Sequence, residues 1–515
     1  MHHIVCNMRG AHIKGYERRR RIVIVFSLSL ILTIGQCPIV LAEVPAQESG
    51  SGGGSPMGAA AGVPQTADKP SSLFSDLQLS GYLKNESAYR YREPRSITKI
   101  RNVAYLDAKY PYSPRLKFNI SGWVYDDLAY NLFDYDTIAA RLERNSGDPL
   151  AYVITLPKEK DASGAAIREL YADMFLGNVD VRLGKQFVVW GVLEGVRITD
   201  EINPMDFREL ILPDLLDYRI PLWMAKIDYY RPEAAYQMLW IPDMRFHKPA
   251  PPGSEWELLQ EVPGTRFPQT FTYKNSEIGL KVNTNLWDTE LAFSYFYTWD
   301  DYPVIFRHVL LDQSLAPEYF PTYTRLSMYG ATFVKQLNAF ILKGELAYVK
   351  DKYFAIADVD KNHDGWLDKN GEFKRDHIRW GLGMDYNWQG ADISPSLAQW
   401  IILDYDPAII QDQFDTGVNL FVRKEFPESS TVFQFLAIYL VNLHELYLKP
   451  KWIFRMTDHF QIATGVDLFF GSPSQFGVSG VVSALGDVAV PVQRAQFLGN
   501  FHDNDRLFLE FKYAF

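Results

Sequence analysis

The chain has 515 residues, a net charge of −10 and only two cysteines, with 15% aromatic residues. The negative balance, without a basic cluster, argues against nucleic-acid binding, which needs cations to neutralise phosphates. Both cysteines, Cys6 and Cys37, fall in a segment read below as removable, so the mature chain is expected to hold no disulfide, catalytic thiolate, cysteine-bound zinc or c-type haem.

From the amino terminus, Arg18 to Arg21 carry positive charge, Ile22 to Ile34 are apolar, and Val40-Leu41-Ala42 offers a processing site. This is the pattern of a signal peptide over residues 1–42, cleaved after Ala42. An uncleaved anchor helix would need a longer apolar run, ~20 residues. Residues 43–72 are rich in Gly, Ser, Ala and Pro and bury nothing, so they are expected to form a flexible periplasmic leader.

From Leu73 the chain alternates with period two, the signature of strands with one apolar and one polar face. Leu291, Phe293, Tyr295, Tyr297 and Trp299 share one face; Trp380, Leu382, Met384, Tyr386 and Trp388 another, opposite Gly381, Gly383, Asp385 and Asn387. The longest apolar stretch, Val432 to Val441 interrupted by Gln434, suits a tilted transmembrane strand and is too short for a helix. Composition alone fits a secreted β-sandwich too, but the loop pattern favours a barrel. Tight turns are expected near Ser113, Gly177-Asn178, Pro232-Glu233, Asn283-Asn285, Gln336-Asn338, Gln389-Gly390, Pro427–Ser430 and Thr457-Asp458. Long connections fall around 128–165, 191–220, 247–270, 301–322, 355–374 and 471–501. Short periplasmic turns against long extracellular loops are what outer-membrane barrels show. The sequence thus predicts an all-β fold, a transmembrane antiparallel β-barrel over 73–515. The count is roughly 18 strands, with 16 as the nearest alternative. A barrel of that size holds an aqueous channel, and polar strand faces would line it.

Within residues 168–242, the pieces RLGKQFVVWG, DEINPMDFREL and DYRIPLWM occur in that order. This stretch resembles a family of bacterial outer-membrane, porin-like proteins catalogued as a domain of unknown function. The resemblance implies a signal-bearing barrel that passes solutes or acts beside a periplasmic or exporter partner. It implies no catalytic residues.

The loop inside that stretch, about 191–220, mixes charge with apolar residues that a free outer loop has little reason to carry. It is expected to fold into the barrel as a pore constriction, with Glu194, Arg197, Asp200, Glu201, Asp206, Arg208, Glu209 and Arg219 setting a transverse field and a mild cation preference. The alternative is a rim loop whose charges pair among themselves. On the preceding strand Arg182 alternates inward with Asp180 and Gly184 and is taken as a lumen residue, whereas Lys185 falls on the outer side with Leu183.

Farther on, Asp360, Asn362, Asp364, the carbonyl of Trp366 and Asp368 follow the oxygen-ligand spacing of a calcium loop, with Gly365 at its sharp turn. Gly371 stands where the bidentate acid is due, and Glu372 comes one residue late. A bound Ca2+ is expected there in a structural role, in an extracellular loop.

At the carboxy terminus Leu507, Leu509, Phe511, Tyr513 and Phe515 alternate against Glu510 and Lys512, and a terminal aromatic strand is what outer-membrane insertion recognises. The leading functional reading is therefore an outer-membrane channel for small, mainly hydrophilic solutes. The second is the barrel component of an export or electron-transfer complex, whose electron carrier would be a separate protein, since the chain has no haem motif. An enzyme is disfavoured, because no histidine sits in a Ser/His or Asp/His arrangement on neighbouring strand positions.

Overall fold

The computed structural model describes residues 76–93, 95–132, 163–213, 217–250, 255–256, 265–309, 317–356, 372–472 and 497–515. The expected signal peptide, the leader and the calcium-like stretch Asp360–Asp368 lie outside the described residues; Glu372 opens a strand.

The alternating segments form the strands of an 18-stranded sheet closed on itself. Its first half comprises β1 (Gln78–Arg90), β2 (Ser96–Ser113), β3 (Leu116–Asp127), β4 (Ser163–Leu176), β5 (Val179–Gln186), β6 (Leu222–Tyr230), β7 (Ala234–Ile241), β8 (Glu277–Leu286) and β9 (Thr289–Trp299). A separate hairpin, β10 (Val304–Val309) and β11 (Pro317–Thr322), occupies the next connection. The sheet resumes with β12 (Arg325–Leu337), β13 (Phe340–Ala355), β14 (Glu372–Trp388), β15 (Ala391–Ile402), β16 (Phe414–Phe426), β17 (Thr431–Leu440), β18 (Glu445–Arg455), β19 (Phe460–Phe470) and β20 (Arg506–Ala514). Every pairing is antiparallel between ring neighbours, and β1 pairs with β20 to close the barrel. Closure removes the unpaired edges that an open sheet would leave.

Side-chain direction follows the sequence pattern. On β20, Leu507, Leu509, Phe511 and Tyr513 are exposed on the outer face while Arg506 and Phe508 are buried. On β14, Leu382 points outward and Gly381 and Gly383 inward. One end of the barrel has only tight turns, the other the long connections, as expected.

One turn differs. Asn283 and Asn285 lie inside β8, paired with Ala235 and Glu290, and the chain reverses at Trp287–Asp288. Both turn residues have φ near +54°, the type I′ geometry that normally favours Asn and Gly. Here an 81% exposed tryptophan holds the first position, so composition misplaces the turn.

Candidate functional site

The connection from β5 to β6, described over residues 187–213 and 217–221, turns into the barrel. Its first limb is apolar: Val188, Trp190, Leu193, Val196, Ile198 and Ile202 are buried against inward residues such as Leu239, Phe296, Met328 and Val349. Full burial of such side chains contributes roughly 1.5–3 kcal/mol each. Inward glycines make the room. A Cβ on Gly279 would stand 2.8 Å from Trp190, one on Gly383 2.7 Å from Leu193, and one on Gly330 3.2 Å from Thr199. This corrects the reading of Gly381 and Gly383 as open lumen lining: they are a docking bed, bare because the loop occupies the space. Gly381→Val, whose Cβ would meet Leu193 at 2.8 Å and the Leu397 carbonyl at 3.2 Å, is expected to dislodge this limb at a cost of about 1–3 kcal/mol. Limited proteolysis within 187–221, on a barrel that stays heat-modifiable, would show it.

In the middle of this bed Glu345 on β13, 4% exposed, grips the loop backbone. Its Oε1 accepts from the N–H of Val192 at 2.6 Å and of Leu193 at 2.7 Å. Oε2 accepts from the Thr199 N–H at 3.0 Å and its hydroxyl at 2.7 Å. Sequence reading missed Glu345; an acid on an inward strand position gives no local sign that a distant loop will satisfy it.

Apart from Glu194, the expected constriction charges divide into three groups. Asp200 and Arg219 form a buried ion pair, and Arg197 donates to the carbonyls of Asp200 at 2.8 Å and Asn203 at 3.0 Å, so these three shape the loop itself. Glu201 reaches the wall, accepting from Arg379 of β14 at 2.7 Å. Burial opposes its charge, but Arg197 and Arg379 outweigh burial and hold the carboxyl down at about 2. Glu194 is exposed beside Gly195.

The third group, Asp206, Arg208 and Glu209, belongs to the tip, on the other side of the lumen. Glu209 accepts from Lys99 of β2 at 2.7 Å and from Arg101. Asp217 bonds Lys84 of β1 at 3.2 Å, and Lys449 of β18 donates to the Leu212 carbonyl at 2.6 Å. Arg208 donates to the Tyr125 hydroxyl of β3 at 2.6 Å. Burial again opposes ionisation of Glu209, and Arg101 and Lys99 overcome it, setting the carboxyl at about 2. In the ring order β13 and β14 stand opposite β1 to β3, so one covalent segment is bonded to both sides. Lys84, Lys99 and Arg101 were not anticipated. Their inward register on β1 and β2 was legible, but their loop partners were not.

A second connection, between β7 and β8, lies beside the first at residues 247–248. Lys248 donates its N–H to the Met205 carbonyl at 2.8 Å and accepts from the Phe207 N–H at 2.8 Å. His247 Nδ1 accepts from the Met205 N–H at 2.9 Å; burial and the nearby Arg197 push the imidazole down to about 3, so it stays a neutral acceptor. Trp256 lies against Phe469 and Phe501 at 5.7 and 5.6 Å on the far wall.

Between tip and wall remains a small cavity. The wall gives it Lys84, Glu86, Lys99 and Arg101, and the tip Asp206, Arg208, Glu209 and Asp217. Cations and anions balance there. Arg182 shares the inner face with Asp173, to which it donates at 2.6 and 3.0 Å, and stacks on Tyr171 at 3.9 Å. Lys185 instead donates to the carbonyl of outward Ile167 at 2.7 Å. Among the described residues no group of three or more His, Cys, Asp or Glu is placed to hold a metal.

Several solved structures are similar to this chain over most of its length. OccK8 (OprE) of Pseudomonas aeruginosa shares 9% identity, covering 86% of this chain and 99% of that one, with a TM-score of 0.47. OccAB3 of Acinetobacter baumannii shares 10%, with 86% and 99% covered and a TM-score of 0.45. A BenF-like porin of Pseudomonas fluorescens Pf-5 shares 9%, with 86% and 99% covered and a TM-score of 0.47. No curated protein matches the chain. The sequence profile of the family described as "protein of unknown function (DUF1302)" matches residues 96–426, a span that takes in the whole 168–242 stretch. The chain belongs to the DUF1302 family.

Proposed function

We propose that this protein is an outer-membrane channel for small, mainly hydrophilic solutes, with the inward-folded segment at about 191–220 as its constriction. The observation that carries the reading is the double attachment of that segment, to Glu345 and Arg379 on one side and to Lys84, Lys99 and Arg101 on the other. A closed barrel whose outer face exposes Leu183, Ile227, Leu280, Phe293 and Leu509 is suited to lipid and would aggregate in water. An 18-stranded ring is wide enough for an aqueous lumen. Apolar packing of the first limb fills one side, leaving the solute path between the tip and β1–β3. Balanced charges there remove the source of the cation preference read from the loop alone, so selection rests on size and hydrogen bonding.

Liposome swelling tests this. Vesicles carrying the purified chain should swell in glycerol or a small amino acid and resist a tetrasaccharide. Absence of swelling at every solute size would overturn the proposal.

A further inference from the structure

A cluster of cations sits on the outside of the barrel, where β8, β9, β12 and β13 meet the long-loop end. Arg325 opens β12 opposite Trp299, with its guanidinium 4.2 Å from the Trp299 ring and 4.7 Å from Tyr297. Its Nη2 donates to the carbonyls of Lys274 and Ser276, at 3.2 Å each, which places the Lys274 backbone beside it. Lys350 pairs with Ser327, two residues from Arg325, so Arg325 and Lys350 are diagonal outward neighbours, about 7–8 Å apart at the backbone. Lys274 and Lys350 are both exposed, and neither forms an ion pair among the described residues. Three acids lie near: Asp351 pairs with Lys374 at 3.0 Å, Asp376 accepts from Tyr348 and from the Asp351 N–H while its charge also acts on Lys350, and Glu277 is buried on the inner side of Arg325. Below the cations, toward the middle of the strands, an outward row of rings runs Tyr295–Tyr329–Tyr348, at 5.0 and 6.2 Å.

We propose that Lys274, Arg325 and Lys350 form a site on the lipid-facing surface for the phosphate of an outer-leaflet glycolipid. The inference rests on the membrane-spanning reading above and is independent of solute passage. Aromatic rings at strand ends mark the depth where headgroups begin, and cations clustered just beyond them stand where lipid phosphates lie. Two exposed ammonium groups and a guanidinium complement a phosphate charge, and they outnumber the one exposed-side carboxylate that acts on them, Asp376 beside Lys350. The tyrosine row and exposed Leu346 offer a surface for the acyl chains. Nothing comparable is needed for barrel closure, since Lys274 and Lys350 bond no strand through their ammonium groups among the described residues.

The test is native mass spectrometry of the full chain in detergent, with three probes: bis-phosphorylated lipid A, its dephosphorylated form and inorganic phosphate. Lipid A should bind, and Lys274→Ala with Lys350→Ala should weaken binding about tenfold or more while the barrel stays heat-modifiable. Arg325→Lys, which keeps the charge, should retain most of the binding. The inference is overturned if the double variant binds equally well, or if dephosphorylated lipid A does. Binding of inorganic phosphate in place of lipid A would mean a free-anion site and overturn it too. Insertion into liposomes is scored separately: a chain that fails to insert sinks the membrane reading itself.

Discussion

Glu345→Ala is expected to raise single-channel conductance severalfold while the barrel remains folded. The carboxylate takes four hydrogen bonds from the crossing segment, three of them from backbone N–H groups. Hydrogen bonds to a charged group contribute about 1.5–3 kcal/mol each, and a buried donor left unpaired costs about 1–3 kcal/mol. Alanine would orphan the donors of Val192, Leu193 and Thr199, so the limb regains their hydrogen bonds only by leaving its bed for water. Glu345→Gln should be intermediate. Its amide oxygen can serve one set of donors, but its NH2 would face the other set, donor against donor. Planar-bilayer recording reads the conductance, and limited proteolysis within 187–221 reads the release. Unchanged conductance and unchanged proteolysis in Glu345→Ala would remove Glu345 from the account.

The second large effect concerns the opposite attachment. Glu209→Gln should loosen the tip, raise conductance and shift selectivity toward anions, because one negative charge leaves a balanced lining. The pH dependence follows from the sign of the shift. The Glu209 carboxyl sits at about 2, below the ordinary 4.5, so the ionised form is the one bonded in the closed tip. That attachment is fully present above about pH 4.5 and is lost as pH falls toward 2. Wild-type conductance should be flat from pH 8 to 5 and rise on acidification to pH 3. Glu201, held at about 2 by Arg197 and Arg379, adds a parallel acid step, so Glu209→Gln should reduce the rise without abolishing it. A rise between pH 7 and 5 would contradict this assignment; neutral His247, already far below that range, supplies no titration there.

Strand alternation, the closing strand and the asymmetry of turns and loops were legible because each depends on local period and turn residues. The Trp287–Asp288 turn was not, since its position is set by cross-strand register. The site was legible in part. Charge mixed with apolar residues in 191–220 pointed to an inward loop, yet sequence could not say which charges shape the loop and which face the passage. Asp200 and Arg219 look like pore charges until their burial together is seen. Glu345, Lys84, Lys99 and the inward glycines were silent because their roles arise from contacts across the lumen, between residues far apart in the chain. An inward glycine reads the same whether water or Leu193 lies over it.

The most direct measurement is single-channel recording of the purified wild-type chain in a planar bilayer at neutral pH. Steady open steps are expected, small for an 18-stranded ring because the crossing segment fills one side of the lumen. Silence from a folded, heat-modifiable barrel, or steps as large as an unobstructed ring of this size would give, would contradict this expectation.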